Sequence, residues 1–179
     1  MVKFAFEKSC QLDYAFKNVA LPQVSKKAHE LTAADWERQI SITLNGTFLC
    51  LKYEVAAMLQ TGSGSIVNTS SGAGVIGFLM SVEYSAAKFG VVGLTRTAAL
   101  DYACDKTRIN HVSRGAIRTP MLQSAMDKDP KRKPYVASTN PMKRIADPGE
   151  VDEGVVRLLS DAASFVTGSC LAIDGGYLP

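Results

Sequence analysis

The chain has 179 residues, 46% of them hydrophobic and 21% charged, with a formal net charge of +3. That is the length of one domain with enough apolar material for a core, and so mild a charge leaves no footprint for nucleic acid. No stretch reaches the ~18 apolar residues of a membrane span, Met1-Val2-Lys3-Phe4 has no signal-peptide pattern, and Cys10, Cys50, Cys104, Cys170, His29 and His111 lie too far apart for a metal site, so a cytoplasmic protein with reduced thiols is expected.

Leu12-Asp13-Tyr14-Ala15-Phe16 reads as a short strand. A long helix follows, with Thr32 as N-cap and Asp35 as its capping-box partner. Trp36, Ile40, Leu44, Phe48, Leu51, Val55 and Met58 recur at steps of three and four and form one apolar stripe. Gly62-Ser63-Gly64 ends that helix. Ser65 to Thr69 is a strand, leading into the small-residue loop Ser70-Ser71-Gly72-Ala73-Gly74. A second long helix covers about Val82 to Tyr102, and Arg108 to Val112 is the third strand. Met121 to Tyr135 mixes charges, methionines and prolines and reads as a mobile flap. Its basic run, Lys131-Arg132-Lys133, reads as solvated loop rather than a phosphate patch. Asp147-Pro148-Gly149-Glu150 starts a helix running to about Ser160, and Cys170 to Ile173 is the last strand.

Strand and helix alternate throughout, which predicts an α/β fold: a parallel sheet with helices on both faces and right-handed crossovers. Ligands in such sheets bind beyond the carboxyl ends of the strands, so chemistry is expected in the loops after Thr69 and Val112.

Tyr84 and Lys88 stand at i and i+4 and share a helix face. A free phenol is a weak base at neutral pH, and an adjacent ammonium favours the phenolate. The bland alternative is a half-buried aromatic with a lysine snorkelling past it. Ser71 lies thirteen residues before Tyr84 in a loop that leaves a strand. Asn45, beside Gly46 on the apolar side of a helix, is a local conflict of the kind that marks functional sites. It reads equally as a buried, satisfied Asn.

Six pieces stand in one order: Leu12-Asp13-Tyr14-Ala15-Phe16, Leu44-Asn45-Gly46, Ile66-Val67-Asn68-Thr69-Ser70-Ser71, Tyr84-Ser85-Ala86-Ala87-Lys88, Gly115-Ala116-Ile117-Arg118-Thr119-Pro120 and Ile173-Asp174-Gly175-Gly176. In this the chain resembles the short-chain dehydrogenase/reductase family from about Phe4 to Leu178. The resemblance implies hydride transfer between NAD or NADP and a carbonyl or alcohol substrate. Tyr84 would be the general acid/base, and Ser71 would hydrogen-bond the substrate oxygen. Lys88 would favour the phenolate and hold the nicotinamide ribose, and Asn45 would hold a relay water. Asn18, Gly115, Ile117 and Thr119 would contact the cofactor along with Tyr84 and Lys88. A homodimer or homotetramer built on the two long helices is also implied, with no metal.

The resemblance also implies a missing piece. There is no G-x-G-x-x-G turn, so residues 1–179 are expected to be a single incomplete Rossmann-like domain, short of its first βαβαβ portion by roughly 60–90 residues. The first strand should then be a sheet edge and apolar helix faces should be uncovered. Such a chain is marginal alone, or is completed by another subunit or segment. The family's Asn-Asn-Ala-Gly run is here Lys17-Asn18-Val19-Ala20, and its proline before Gly115 is Arg114. A non-catalytic scaffold or truncated product that binds no dinucleotide is therefore the second expectation.

Overall fold

The computed structural model describes residues 2–129 and 132–178. A helix that the residue pattern does not announce, α1 (Val2–Ser9), comes first and buries none of its side chains. Strand β1 is Tyr14–Lys17, slightly later than expected. Helix α2 (Ala33–Gln39) starts with the expected capping box: the Asp35 amide donates to Thr32 Oγ1 at 3.1 Å and the Thr32 amide to the Asp35 carboxylate at 3.4 Å.

The expected single helix is interrupted. Residues Ile40–Asn45 widen into a π segment, with the Gly46 amide donating to the Ser41 carbonyl, before α3 (Gly46–Thr61) resumes. Buried polar side chains sit at this point: the Gln39 amide donates to Thr43 Oγ1 at 3.0 Å, and Thr47 Oγ1 donates to the Thr43 carbonyl at 2.7 Å. Hydroxyls bonding back to carbonyls compete with the regular ladder. The extra residue turns the helix face by about 100°, so the apolar stripe is not one stripe: Trp36 before the segment is exposed, while Leu51, Val55 and Met58 after it are buried. Phe48, also on α3, is exposed as well. Gly62, at φ +87°, ends α3 in the left-handed conformation that glycine adopts most readily.

Strand β2 is Gly64–Thr69, α4 is Val82–Asp101 and β3 is Thr107–Arg114. The flap stretch is helical on either side of the two undescribed residues, as α5 (Pro120–Lys128) and α6 (Arg132–Ser138). Lys131 lies outside the described residues, so the basic run is only partly placed. Helix α7 (Pro148–Leu159) and β4 (Cys170–Ile173) complete the order.

The four strands are parallel and lie in the order β1-β2-β3-β4. Adjacent residues point to opposite faces. Ile66 and Ile109 pack with Leu51, Val55 and Met58 of α3 and Ala98 and Ala99 of α4, whereas Val67 and Val112 pack with Val151, Val155 and Leu158 of α7. Each of the Val, Leu, Ile and Met side chains among these, fully buried, is worth about 1.5–3 kcal/mol. Helices α3 and α4 therefore cover one face and α7 the other, while the strand order never reverses. The β3–β4 crossover thus has the opposite hand to the first two, against the expectation of one hand throughout. With both earlier helices on one side, α7 is what buries the other side.

Among the described residues β1 pairs only with β2, so it is a sheet edge, and Tyr14 is 57% exposed. Phe48, Leu49 and Tyr53 of α3 and Phe89 of α4 are exposed as well. No described helix is long and apolar enough to cross a membrane.

His111 on β3 is fully buried, and neither ring nitrogen has a hydrogen-bond partner among the described residues. Burial, with the Arg96 charge behind it, pushes its pKa down to about 4 from 6.5. The unfolded chain therefore binds a proton that the folded chain refuses between these values, and stability falls as pH drops through that window. His111→Leu should leave stability at pH 7.5 equal or higher, since an unpaired buried polar group costs about 1–3 kcal/mol. It should also flatten the loss between pH 6.5 and 4 in urea midpoints. An unchanged pH dependence in the variant would contradict this account.

Candidate active site

The carboxyl ends of β2 and β3 meet the start of α4. Lys88, one turn into α4 from Tyr84, is 1% exposed, and its Nζ donates to the Thr69 carbonyl at 2.8 Å. The same Nζ lies 5.8 Å from the centre of the Tyr84 ring, so the i, i+4 pair does share one face. Burial first, and the Arg114 charge second, push the Lys88 pKa down to about 7. The loop after β2 is clamped to the same helix. Ser70 Oγ donates to the Lys88 carbonyl at 3.3 Å, and a Cβ on Gly74 would stand 2.3 Å from Ser70 Oγ and 2.8 Å from that carbonyl. Backbone packed this closely requires glycine. Ser71 is buried, and its Oγ accepts the Ala73 amide at 3.3 Å.

Beside Ser71 lies a cavity of about 500 Å³, lined by apolar Phe78, Leu79, Leu122 and Val136 and by polar Gln23, Arg114, Asn140 and Tyr177 among others. Phe78 and Tyr177 meet edge to face, 5.7 Å between centres, with Gly72 under both rings. The Asp174 carboxylate accepts the amides of Gly176, Tyr177 and Leu178 at 2.9–3.2 Å and so shapes the neighbouring turn.

Gly115 lines this cavity; a Cβ there would be 2.8 Å from Asp174 Cα. Ile117 is buried in the core with α7, pairs as a bridge with Ala146, and lines a separate cavity of about 340 Å³. Thr119 Oγ1 caps α5, accepting the Leu122 amide at 3.3 Å. Asn45 is exposed at the end of the π segment, and Asn18 is exposed just past β1. Tyr84, Lys88, Asn45, Asn18 and Thr119 are not in the wall of the 500 Å³ cavity. Of the flap residues, Leu122 and Tyr135 reach that wall and Met126 is buried, while the Met121 side chain lies outside the described set.

Gln23, Asn140, Tyr177 and Arg114 were not among the sequence candidates. The first three are loop residues brought in by chain reversals with no local signature. Arg114 did carry a signal, a charge directly before the loop glycine. Lys17, at the other altered position, is half-buried and ion-paired with Glu54 of α3. Burial lowers its pKa while Glu54 opposes the shift.

A family model described as enoyl-(acyl carrier protein) reductase matches residues 1–178. The 2,5-dichloro-2,5-cyclohexadiene-1,4-diol dehydrogenase of Sphingobium indicum is 52% identical over 93% of this chain and 67% of its own length. The chain belongs to the short-chain dehydrogenase/reductase family. Cyclohexanol dehydrogenase of an Acinetobacter species is 42% identical over 98% of this chain and 68% of its own length. Among solved structures, levodione reductase superposes with a TM-score of 0.92 at 37% identity, covering 97% of this chain and 69% of that one. ElxO with NADP bound gives 0.94 at 32% identity, covering 98% and 71%. The chain spans about two thirds of the length of these relatives.

A nicotinamide cofactor is thus the family's redox partner, and the residues present fit its nicotinamide–ribose end. Of the three donors on the Lys88 ammonium, the protein bond to Thr69 takes one, and Gly115 keeps the β3 loop free of a side chain. No glycine-spaced phosphate turn occurs in residues 1–179.

Lysine-detected NMR should show Lys88 titrating near pH 7, below the exposed lysines, and Arg114→Met should move that midpoint upward. A midpoint in the ordinary lysine range, or one indifferent to Arg114, would contradict the stated causes.

Proposed function

We propose that this chain carries the catalytic part of an NAD(P)-dependent oxidoreductase that interconverts a secondary alcohol and a ketone on a six-membered carbocycle. The observation that carries this reading is the buried Lys88 ammonium, held on Thr69 and facing the Tyr84 ring, beside the Ser71 loop. The ring substrate is supported by the apolar wall of the adjacent cavity. It is also supported by relatives that act on cyclohexanol, on 2,5-dichloro-2,5-cyclohexadiene-1,4-diol and, at 43% identity in Sinomonas cyclohexanicum, on cis-4-hydroxycyclohexanecarboxylate.

Bound cofactor would accept or return the hydride. In this reading Tyr84 takes the proton from the alcohol oxygen or returns it to the ketone oxygen. The Ser71 hydroxyl donates to the same oxygen and steadies the charge that builds there. Lys88 stabilises the phenolate form of Tyr84 by charge and offers its remaining donors to the ribose. With a pKa of about 7, its ammonium can lose and regain a proton at neutral pH, and Asn45 at the π segment is the candidate end of a relay to solvent. Asn18, Gly115, Ile117 and Thr119 would border the cofactor. The π segment itself supports this use of Asn45, since such bulges cluster at functional sites. The exposed apolar residues of α3 and α4 support a homodimer or homotetramer. The flap would close over substrate, and the compartment proposed is the cytoplasm.

One observation favours the second reading, a non-catalytic scaffold: the part-buried Lys17–Glu54 pair occupies the start of a run where the family resemblance expects asparagine. Following NADH or NADPH formation with cyclohexanol separates the two. Tyr84→Phe should lower turnover by about 10²–10⁴-fold with the melting temperature little changed. A folded wild-type chain that neither turns over cyclic alcohols nor binds NADH or NADPH up to millimolar concentration would leave the scaffold reading standing.

A further inference from the structure

Resting on the cyclic-alcohol reading of the cavity, we propose that Arg114 is a carboxylate-binding residue and that the substrate is an alicyclic alcohol or ketone bearing an anionic group. Arg114 is the last residue of β3 and lines the same 500 Å³ cavity as Ser71. Arg114 is half-buried, and no hydrogen bond or ion pair joins it to another described residue. Burial holds it below the usual guanidinium range, with Tyr84 opposing that shift.

No carboxylate pairs with this charge among the described residues. The cavity's carboxylate, Asp174, is committed to three backbone amides, and the charge that Arg114 presses on nearby is the like-signed Lys88. A half-buried cation without a counter-ion is unfavourable. A carboxylate entering the cavity removes that penalty and meets five N–H donors arranged for bidentate pairing. The remaining wall suits the rest of such a molecule. Phe78, Leu79, Leu122 and Val136 cover a saturated ring, and Ser71 receives the carbinol oxygen across it. A proline at this position would supply neither donor nor charge.

The test is calorimetric titration of the full chain, without cofactor, with cyclohexanecarboxylate and with cyclohexanol. The wild type should bind the carboxylate about 10-fold or more tighter than the alcohol, and Arg114→Met should lose about 10- to 100-fold in carboxylate affinity. Arg114→Lys, which keeps the charge without the fork, should fall between and serves as the readout if the methionine variant does not fold. Equal affinity for the two probes in the wild type, or a preference that survives in Arg114→Met, overturns the proposal. So does a variant that loses NADH binding while keeping the carboxylate, because the arginine would then serve cofactor phosphate. Turnover of cis-4-hydroxycyclohexanecarboxylate and cyclohexanol is measured separately: carboxylate binding intact with neither compound turned over keeps the anion site and sinks the alcohol–ketone reading.

Discussion

Lys88 holds the carboxyl end of the sheet together. Its ammonium reaches through the start of α4 to the Thr69 carbonyl, so the last residue of β2 and the first turns of the helix cannot move apart. Keeping a lysine there at a pKa of about 7 instead of 10.5 corresponds to a penalty on the order of 5 kcal/mol for the charged form. The fold tolerates that because the surrounding contacts are over-determined: Ser70 bonds the Lys88 carbonyl, and Gly74 packs where any side chain would collide with both. The clamp sets Ser71 and Tyr84 on either side of one loop. A penalty of this size at one residue is what a functional site shows more often than a structural one.

Three of the basic residues on the strands meet burial differently. Lys17 on β1 has Glu54 reaching it from α3, so its desolvation is offset by an ion pair. His111 on β3 has no partner and stays neutral, which makes it a weak point in acid. Arg114, three residues further along β3, stays charged and opens onto a cavity. A guanidinium cannot shed its proton as an imidazole can. The difference between a structural flaw and a ligand site lies in that chemistry together with access to the cavity.

The sheet has one open flank. Strand β1 offers unpaired backbone groups at the edge, and α3 and α4 expose aromatic and aliphatic side chains on the outside of the domain.

Much of this was readable from residues alone. The four strands, the capping boxes at Thr32 and Asp147, the Gly62 stop and the shared face of Tyr84 and Lys88 all follow from local rules, since period, caps and i, i+4 spacing depend on neighbours in the chain. The π segment did not, because it accompanies hydrogen bonds among the buried Gln39, Thr43 and Thr47, whose burial no spacing reports. The hand of the last crossover was also hidden, since it depends on which face remained bare after α3 and α4 had packed. Sequence by itself determined the family and the types of the main strands and long helices, and it named the candidate reactive side chains. Only the tertiary structure decided that Lys88 is dry, that Asn45 is exposed and that Arg114 faces a cavity without a counter-ion. Burial and charge compensation are set by segments distant in the chain, and no local pattern encodes them.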